Sequence, residues 1–321
     1  MNSFGFSKFT KSVFIPQSIS ENKTLIRIYK QRWLFLLLLP GLLYFIVFKY
    51  LPMFGLVIVL KDYYPALGFL GSKWVGAKHF IRFFTEKDFL VLLRNTLLIF
   101  AYNLIVFTPI PIILALLLNE IKSIRYKRLI QTVTYLPHFL SWPVIVSITY
   151  IFLTTEGGLV NSMMLSMGME KVNFLMEPSY FRPMIILQHI WKDMGWGTII
   201  YLSAITSIEQ EMYEASRIDG ANRFQQLIYI TLPSIASTII VLIILRFGHA
   251  LETGFEQIYL MVSPTTRSVG DVFDTYTYFV GFQGGQFSYA SAIGMFKSVV
   301  GLTLVLTTNR LSKKFGYEGI Y

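Results

Sequence analysis

The amino-acid sequence predicts an all-α membrane protein with six spanning helices, and three observations carry that prediction. Of 321 residues, 54% are hydrophobic and only 14% are charged, whereas soluble domains carry about 25% charged residues. Six stretches, near 33–60, 94–118, 129–153, 183–206, 233–261 and 288–309, are apolar over a sufficient length; a hydrocarbon core about 30 Å thick takes about 20 such residues. Each run is continuous rather than alternating, which selects helices over barrel strands.

Residues 1–32 are polar and basic and read as a cytoplasmic arm. The apolar run that follows exceeds a signal h-region and lacks a small-residue cleavage pattern, so it is expected to stay as span 1. Residues 33–309 read as one membrane domain and 310–321 as a short cytoplasmic tail. Span 1 contains Pro40-Gly41 and Pro52, span 2 Pro109 and Pro111, and span 3 Pro137 and Pro143. Such breakers are tolerated where neighbouring helices satisfy the freed backbone groups. Span 6 carries Ala290, Gly294 and Ser298 at four-residue spacing, a small-residue stripe expected to allow close helix packing.

Net charge is +10, and its distribution points to membrane orientation rather than nucleic acid. With both ends cytoplasmic, the inner segments (1–32, 119–128, 207–231, 310–321) hold 15 Lys and Arg, and the outer ones (61–93, 154–182, 262–287) hold 8. Basic residues concentrate on the cytoplasmic side, so N-in and C-in is the expected topology.

No cysteine is present, which excludes disulfides and thiolate metal sites. The phosphate-cradling G-x-x-x-x-G-K-[ST] loop, H-E-x-x-H and the G-x-S-x-G elbow are all missing. His79, His138, His189 and His249 are scattered without ligand spacing. The sequence predicts a transport subunit with no catalytic residues, no metal and no cofactor of its own.

The polar insert 207–233 stands out between spans 4 and 5. Ser207 is a candidate N-cap, with Glu209, Glu211 and Glu214 near the positive end of a short helix. Asp219-Gly220 offers a turn, and a second helix is expected over 221–230, leading to Pro233. Ala215 and Ser216 would then present a small-residue patch to solvent, beside the charge of Glu214.

The spacing Glu214-Ala215-Ser216, then Gly220, then Ile230-Thr231-Leu232-Pro233 resembles the EAA loop of ABC importer permeases, written EAA-x3-G-x9-I-x-LP. Ser216 departs from the usual third Ala, and it is still small. LPGLLYFIVFKYLPMFG, LRNTLL, PIPIILALLLNE, QTVTYLPHFLSWPVI and the tail YEGIY extend the likeness from Arg32 to Tyr321. They are similar to a carbohydrate-uptake subgroup serving complex oligosaccharides such as pectin and alginate fragments. The resemblance implies a type I ABC importer fold in the bacterial cytoplasmic membrane. It implies that Glu214, Ala215, Ser216 and Gly220, with Arg217 and Asp219 beside them, form a coupling helix that docks on an ATP-hydrolysing subunit. It also implies a second homologous permease, two ATP-binding subunits holding ATP and Mg, an extracytoplasmic solute-binding protein and an oligosaccharide substrate.

Charge within a span should face a cavity or a partner. In span 4, Gln188, Lys192 and Trp196 share one helical stripe, and His189 and Asp193 the adjacent one. An amide, a cation and an indole suit sugar hydroxyls, carboxylates and ring faces, so these five and Arg246 are substrate-path candidates; pairing of Lys192 and Asp193 with neighbouring helices is the plainer alternative. Glu252 and Glu256 are candidates for the outer mouth, where a binding protein docks. The rival reading is an ion-coupled secondary transporter of a small solute. It needs deep carboxylates, of which Asp193 is the single candidate, and it leaves the 207–233 pattern unexplained.

Overall fold

The computed structural model describes residues 31–317 and 319; the expected N-terminal arm and most of the C-terminal YEGIY lie outside them. The chain divides into two compact units at residues 57 and 58. From Arg32 on, the described residues of the first unit are helical and, apart from half-buried Gly55, exposed, the helix α1 (Arg32–Leu60) continuing to the boundary and three residues past it.

In the second unit, β1 (Lys61–Asp62) and β2 (Lys73–Trp74) pair antiparallel and lead to α2 (Lys78–Thr85). Then come α3 (Phe89–Glu120), α4 (Ile124–Phe139), α5 (Trp142–Leu153), α6 (Leu159–Ser166) and α7 (Pro178–Thr206). The polar insert forms α8 (Gln210–Ile218) and the start of α9 (Arg223–Ser234), followed by α10 (Ala236–Gly248). Last are α11 (Phe255–Met261), α12 (Phe273–Tyr278) and α13 (Phe287–Lys314). The fold is all-α, as expected: α1, α3 and α13 are each long and apolar enough to cross a membrane, as are α4–α5 and α9–α10 if each bent pair is one span, and α7 stands where the remaining expected span lies.

Two spans are not straight. The third is bent by 101° between α4 and α5, and the fifth by 56° between α9 and α10. The expected fifth span of 233–261 is therefore corrected at both ends: it starts at Arg223, breaks at Gly248, and Phe255–Met261 is a separate helix behind Gly254, whose φ is +81°. α7 is 29 residues long and carries His189, Lys192 and Asp193 within its length.

Three prolines are accommodated by wide turns. Among the described residues, three of the four π-turns, Ile46–Tyr50, Asn103–Phe107 and Leu227–Thr231, end two residues before Pro52, Pro109 and Pro233. A proline ring clashes with the carbonyl one turn back and has no N–H to offer it. Widening that turn to an i→i+5 bond moves the carbonyl aside and keeps the helix going.

α7 is the axis of the second unit. Its apolar face packs Phe181 and Ile185 with Ile99, Ile258 and Val272 at one end, and Tyr201, Leu202 and Ile205 with Ala115, Leu118 and Ile235 at the other. Between them the contact narrows at Gly195, where a Cβ would lie 2.2 Å from the Thr134 carbonyl oxygen. Of the small-residue stripe on span 6, only Ala290 meets a close neighbour, buried where a Cβ on Gly281 would lie 2.7 Å from it. A Cβ on Gly294 would meet nothing within 4 Å, and Ser298 is exposed. The close crossing of α13 with α10 lies further along, where a Cβ on Gly301 would come 2.6 Å from the Gly248 carbonyl oxygen.

Candidate functional site: a polar cleft and an exposed coupling loop

Two constructions on this scaffold carry functional chemistry. The first is the loop after α7. Ser207 does not cap α8; it closes α7, its hydroxyl donating to the Ala204 carbonyl at 2.8 Å. α8 ends in a six-to-one bond from Ala221 N–H to the Ser216 carbonyl, 2.9 Å, and a tighter one from Gly220 N–H to Arg217, 3.1 Å. That pairing needs a left-handed residue between them, and Gly220 supplies it at φ +81°. Asn222 then caps α9 by a reciprocal box: its Oδ1 accepts from Gln225 N–H at 2.9 Å and its own N–H donates to Gln225 Oε1 at 2.8 Å.

Side chains lock the elbow. Gln226 is 9% exposed and its amide donates to Ser216 Oγ at 2.9 Å and to the Tyr213 carbonyl at 3.3 Å. Ser216 Oγ in turn donates to the Tyr213 carbonyl at 2.8 Å. The Tyr213 hydroxyl lies 2.9 Å from Thr231 Oγ1, inside the π-turn of α9. Arg223 pairs with Glu120 at the end of α3. Glu214, Ala215, Arg217, Asp219 and Gly220 are exposed on the outside of this clamp. Ser216 is corrected from the solvent-facing patch: it is half-buried and its hydroxyl turns inward.

The second construction is an open cleft of about 480 Å³ beside α7. His189, Asp193 and Tyr201 of α7 line it, with Asn103 of α3, Trp142 of α5 and Arg246 of α10; His249, Glu252, Thr253 and Gly254 from the break after α10 complete that side. Asp193 is held by two histidines, with Oδ1 2.7 Å from His138 Nδ1 and Oδ2 3.4 Å from His189 Nδ1. The His189 ring sits 4.4 Å from Phe107, and Arg246 lies 4.7 Å over the same ring. Glu252 pairs with His249 at 2.7 Å.

The sequence-predicted candidates divide between this cleft and the packing around it. His189, Asp193 and Arg246 line the cleft, and so does Glu252. Gln188 turns away: 6% exposed, it donates to Thr149 Oγ1 at 2.7 Å and accepts from Gln257 at 2.9 Å, joining α7 to α5 and α11. Lys192 donates to the carbonyls of His138, at 2.8 Å, and of Leu140, the two ends of the break in span 3. Trp196 stacks on His138 with centroids 4.5 Å apart and planes 3° from parallel. Glu256 is exposed in the first turn of α11. Lys297 of α13 pairs with Asp274, both side chains 15% exposed.

Asn103, Thr253 and Tyr201 were not singled out from the sequence. Asn103 had a usable signal, an amide inside an otherwise apolar span just ahead of Pro109. Among the described residues, no His, Asp and Glu side chains gather to hold a metal ion.

The family model for the binding-protein-dependent transport system inner membrane component matches residues 107–316, which hold the coupling loop and all of the cleft residues named above except Asn103. The chain belongs to that family. This permease is 54% identical over 301 residues to the polygalacturonan/rhamnogalacturonan transport system permease protein YteP of Bacillus subtilis (strain 168), covering 94% of each chain. It is 52% identical over 292 residues to Protein LplB of the same organism, covering 91% of this chain and 92% of LplB. Among solved structures, that of a bacterial alginate ABC transporter in complex with alginate pentasaccharide-bound periplasmic protein matches with a TM-score of 0.86 and 39% identity, over 93% of this permease and 100% of that chain. The permease has the type I ABC importer fold and is a membrane subunit of an importer. The secondary-transporter reading finds no support: its one deep carboxylate, Asp193, is occupied by two histidines.

Proposed function

We propose that this permease is one of two homologous membrane subunits of an ATP-driven importer that moves oligosaccharides, uronate-bearing ones among them, across the bacterial cytoplasmic membrane. The observation that carries the coupling step is the exposed helix α8, clamped to α9 through Gln226, Ser216, Tyr213 and Thr231. A force applied to Glu214, Ala215 or Arg217 passes through that clamp into α9, and from there to α10 and the wall of the cleft. The substrate class is supported by the likeness to YteP and to the alginate transporter.

In this reading α8 seats in a groove on one of two ATP-binding subunits, which hold ATP and Mg. Their closure opens the cleft outward to a solute-binding protein, and hydrolysis opens it inward. Both termini lie in the cytoplasm, and Glu252 and Glu256 belong to the outer half. Glu214→Lys and Gly220→Val, assayed by co-purification of the ATP-binding subunits and by uptake in proteoliposomes, test the coupling role. Loss of uptake with the permease still inserted is expected. Wild-type association and uptake in both variants would remove the role given to α8.

A further inference from the structure

Resting on that reading of the substrate, we infer that Arg246 is the carboxylate-reading residue of the cleft, and that this chain contributes a uronate subsite of its own. Among the described residues Arg246 makes neither an ion pair nor a hydrogen bond; its one close partner is the face of Phe107. A cation within a membrane span is costly unless a counter-charge or acceptor meets it. Neither carboxylate that shares the cleft makes an ion pair with it, although the charge of Asp193 is felt at Arg246. Asp193 is engaged by His138 and His189, and Glu252 by His249. The guanidinium therefore presents its donor fork to the cleft, and a carboxylate is the group that fits the fork in a bidentate way.

Two further residues of the cleft carry polar atoms that are left unpaired. Among the described residues, four buried side-chain atoms lack a hydrogen-bond partner, and two of them, Asn103 Oδ1 and Thr253 Oγ1, belong to residues lining this same cleft. Buried polar atoms are normally paired. An acceptor on α3 and a hydroxyl on the break after α10, with a free cation on α10, match a sugar that brings hydroxyls and one carboxylate. Neutral sugars satisfy the first two atoms and leave Arg246 unmet.

Phe107 explains how Arg246 is positioned. The π-turn ahead of Pro109 spans Asn103 to Phe107, so one distortion delivers both the orphan amide and the ring over which the guanidinium lies. Lysine could not reproduce this arrangement, since a compact ammonium lacks both the planar stack and the two-pronged donor geometry.

The test uses the complete importer in proteoliposomes, with trigalacturonate and its methyl ester as probes. Arg246→Gln is expected to lower trigalacturonate uptake by about 10- to 100-fold at low substrate, as loss of a charge-assisted pair does, and to bring the acid-to-ester ratio close to one. Arg246→Lys keeps the charge and the bulk and is expected to fall between. Co-purified subunits report assembly of each variant, and the lysine form carries the test if the glutamine form fails to assemble. An unchanged acid-to-ester ratio in an assembled variant would overturn the inference. Wild-type uptake confined to neutral oligosaccharides would overturn it too, together with the uronate part of the functional reading, while leaving the reading as an oligosaccharide importer intact. Absence of oligosaccharide uptake by the wild-type complex would remove that reading together with the subsite.

Discussion

Lys192 Nζ donates to the carbonyl oxygen of His138 at 2.8 Å, across the break that bends the third span by 101°. The same ammonium reaches the Leu140 carbonyl and lies 5.4 Å over the Trp142 ring. A bend that sharp strands carbonyl groups with no water to receive them. One cation on the neighbouring helix satisfies both.

Lys192→Met should therefore act on stability before transport. Losing charged hydrogen bonds and leaving two acceptors unmet costs about 2 to 4 kcal/mol. The expected result is a clear fall in the thermal midpoint of the detergent-solubilised complex. A wild-type midpoint would show that the break is held by other contacts.

Gly195 admits no side chain. A Cβ there would sit 2.2 Å from the Thr134 carbonyl oxygen and 2.8 Å from Tyr135 Cδ1, and a backbone atom cannot step aside as a flexible side chain can. Gly195→Ala is expected to push α7 from α4 at a cost of about 1 to 3 kcal/mol or more. It should also disturb the His138–Trp196 stack one turn away, which tryptophan fluorescence can follow. A stable variant with an unshifted spectrum would contradict the close approach.

The Lys297–Asp274 pair ties α13 to α12, and Asp274 Oδ2 also accepts the Thr253 N–H at 3.1 Å. With both side chains 15% exposed, removal of one partner leaves the other charged and desolvated. Lys297→Met is expected to destabilise by about 3 to 5 kcal/mol. A double replacement, Lys297→Met with Asp274→Leu, should regain part of that loss. A double-mutant cycle on unfolding midpoints measures the coupling, and strictly additive losses would argue against a direct pair.

Ser216→Ala removes the hydroxyl that receives Gln226 while leaving the outer face of α8 unaltered. The expected cost is about 1 kcal/mol, the worth of an ordinary hydrogen bond, felt as local opening of the loop. Amide hydrogen exchange over 210–226 should quicken by roughly fivefold. Unchanged exchange would mean that the Gly220 turn and the Asn222 cap hold the elbow without help.

The polar insert was legible because its determinants are local. Gly220 at the turn and Pro233 beyond it act within one or two helical turns; the cap of Asn222 with Gln225, just as local, went unread. The cap of α8 was misread for a related reason: Ser207 has equal chemistry for closing α7 and for opening α8, and the length of α7 settles the choice. In α7 the spacing put Gln188, Lys192 and Trp196 on one stripe and His189 with Asp193 on the next. Spacing does not say which stripe meets a cavity, and the cleft took the second.

By itself the sequence determined six apolar crossings, a helical loop with a glycine elbow, and the presence of charged residues inside spans. These follow from hydrophobicity, backbone preference and chain order, which act between near neighbours. Tertiary structure alone decided which of those charges are spent. Lys192 closes a broken span, Lys297 meets Asp274, Asp193 meets two histidines, and Arg246 is left facing open space. Pairing across a membrane domain joins residues far apart in the chain, as with the 55 positions between His138 and Asp193, and helix packing fixes it.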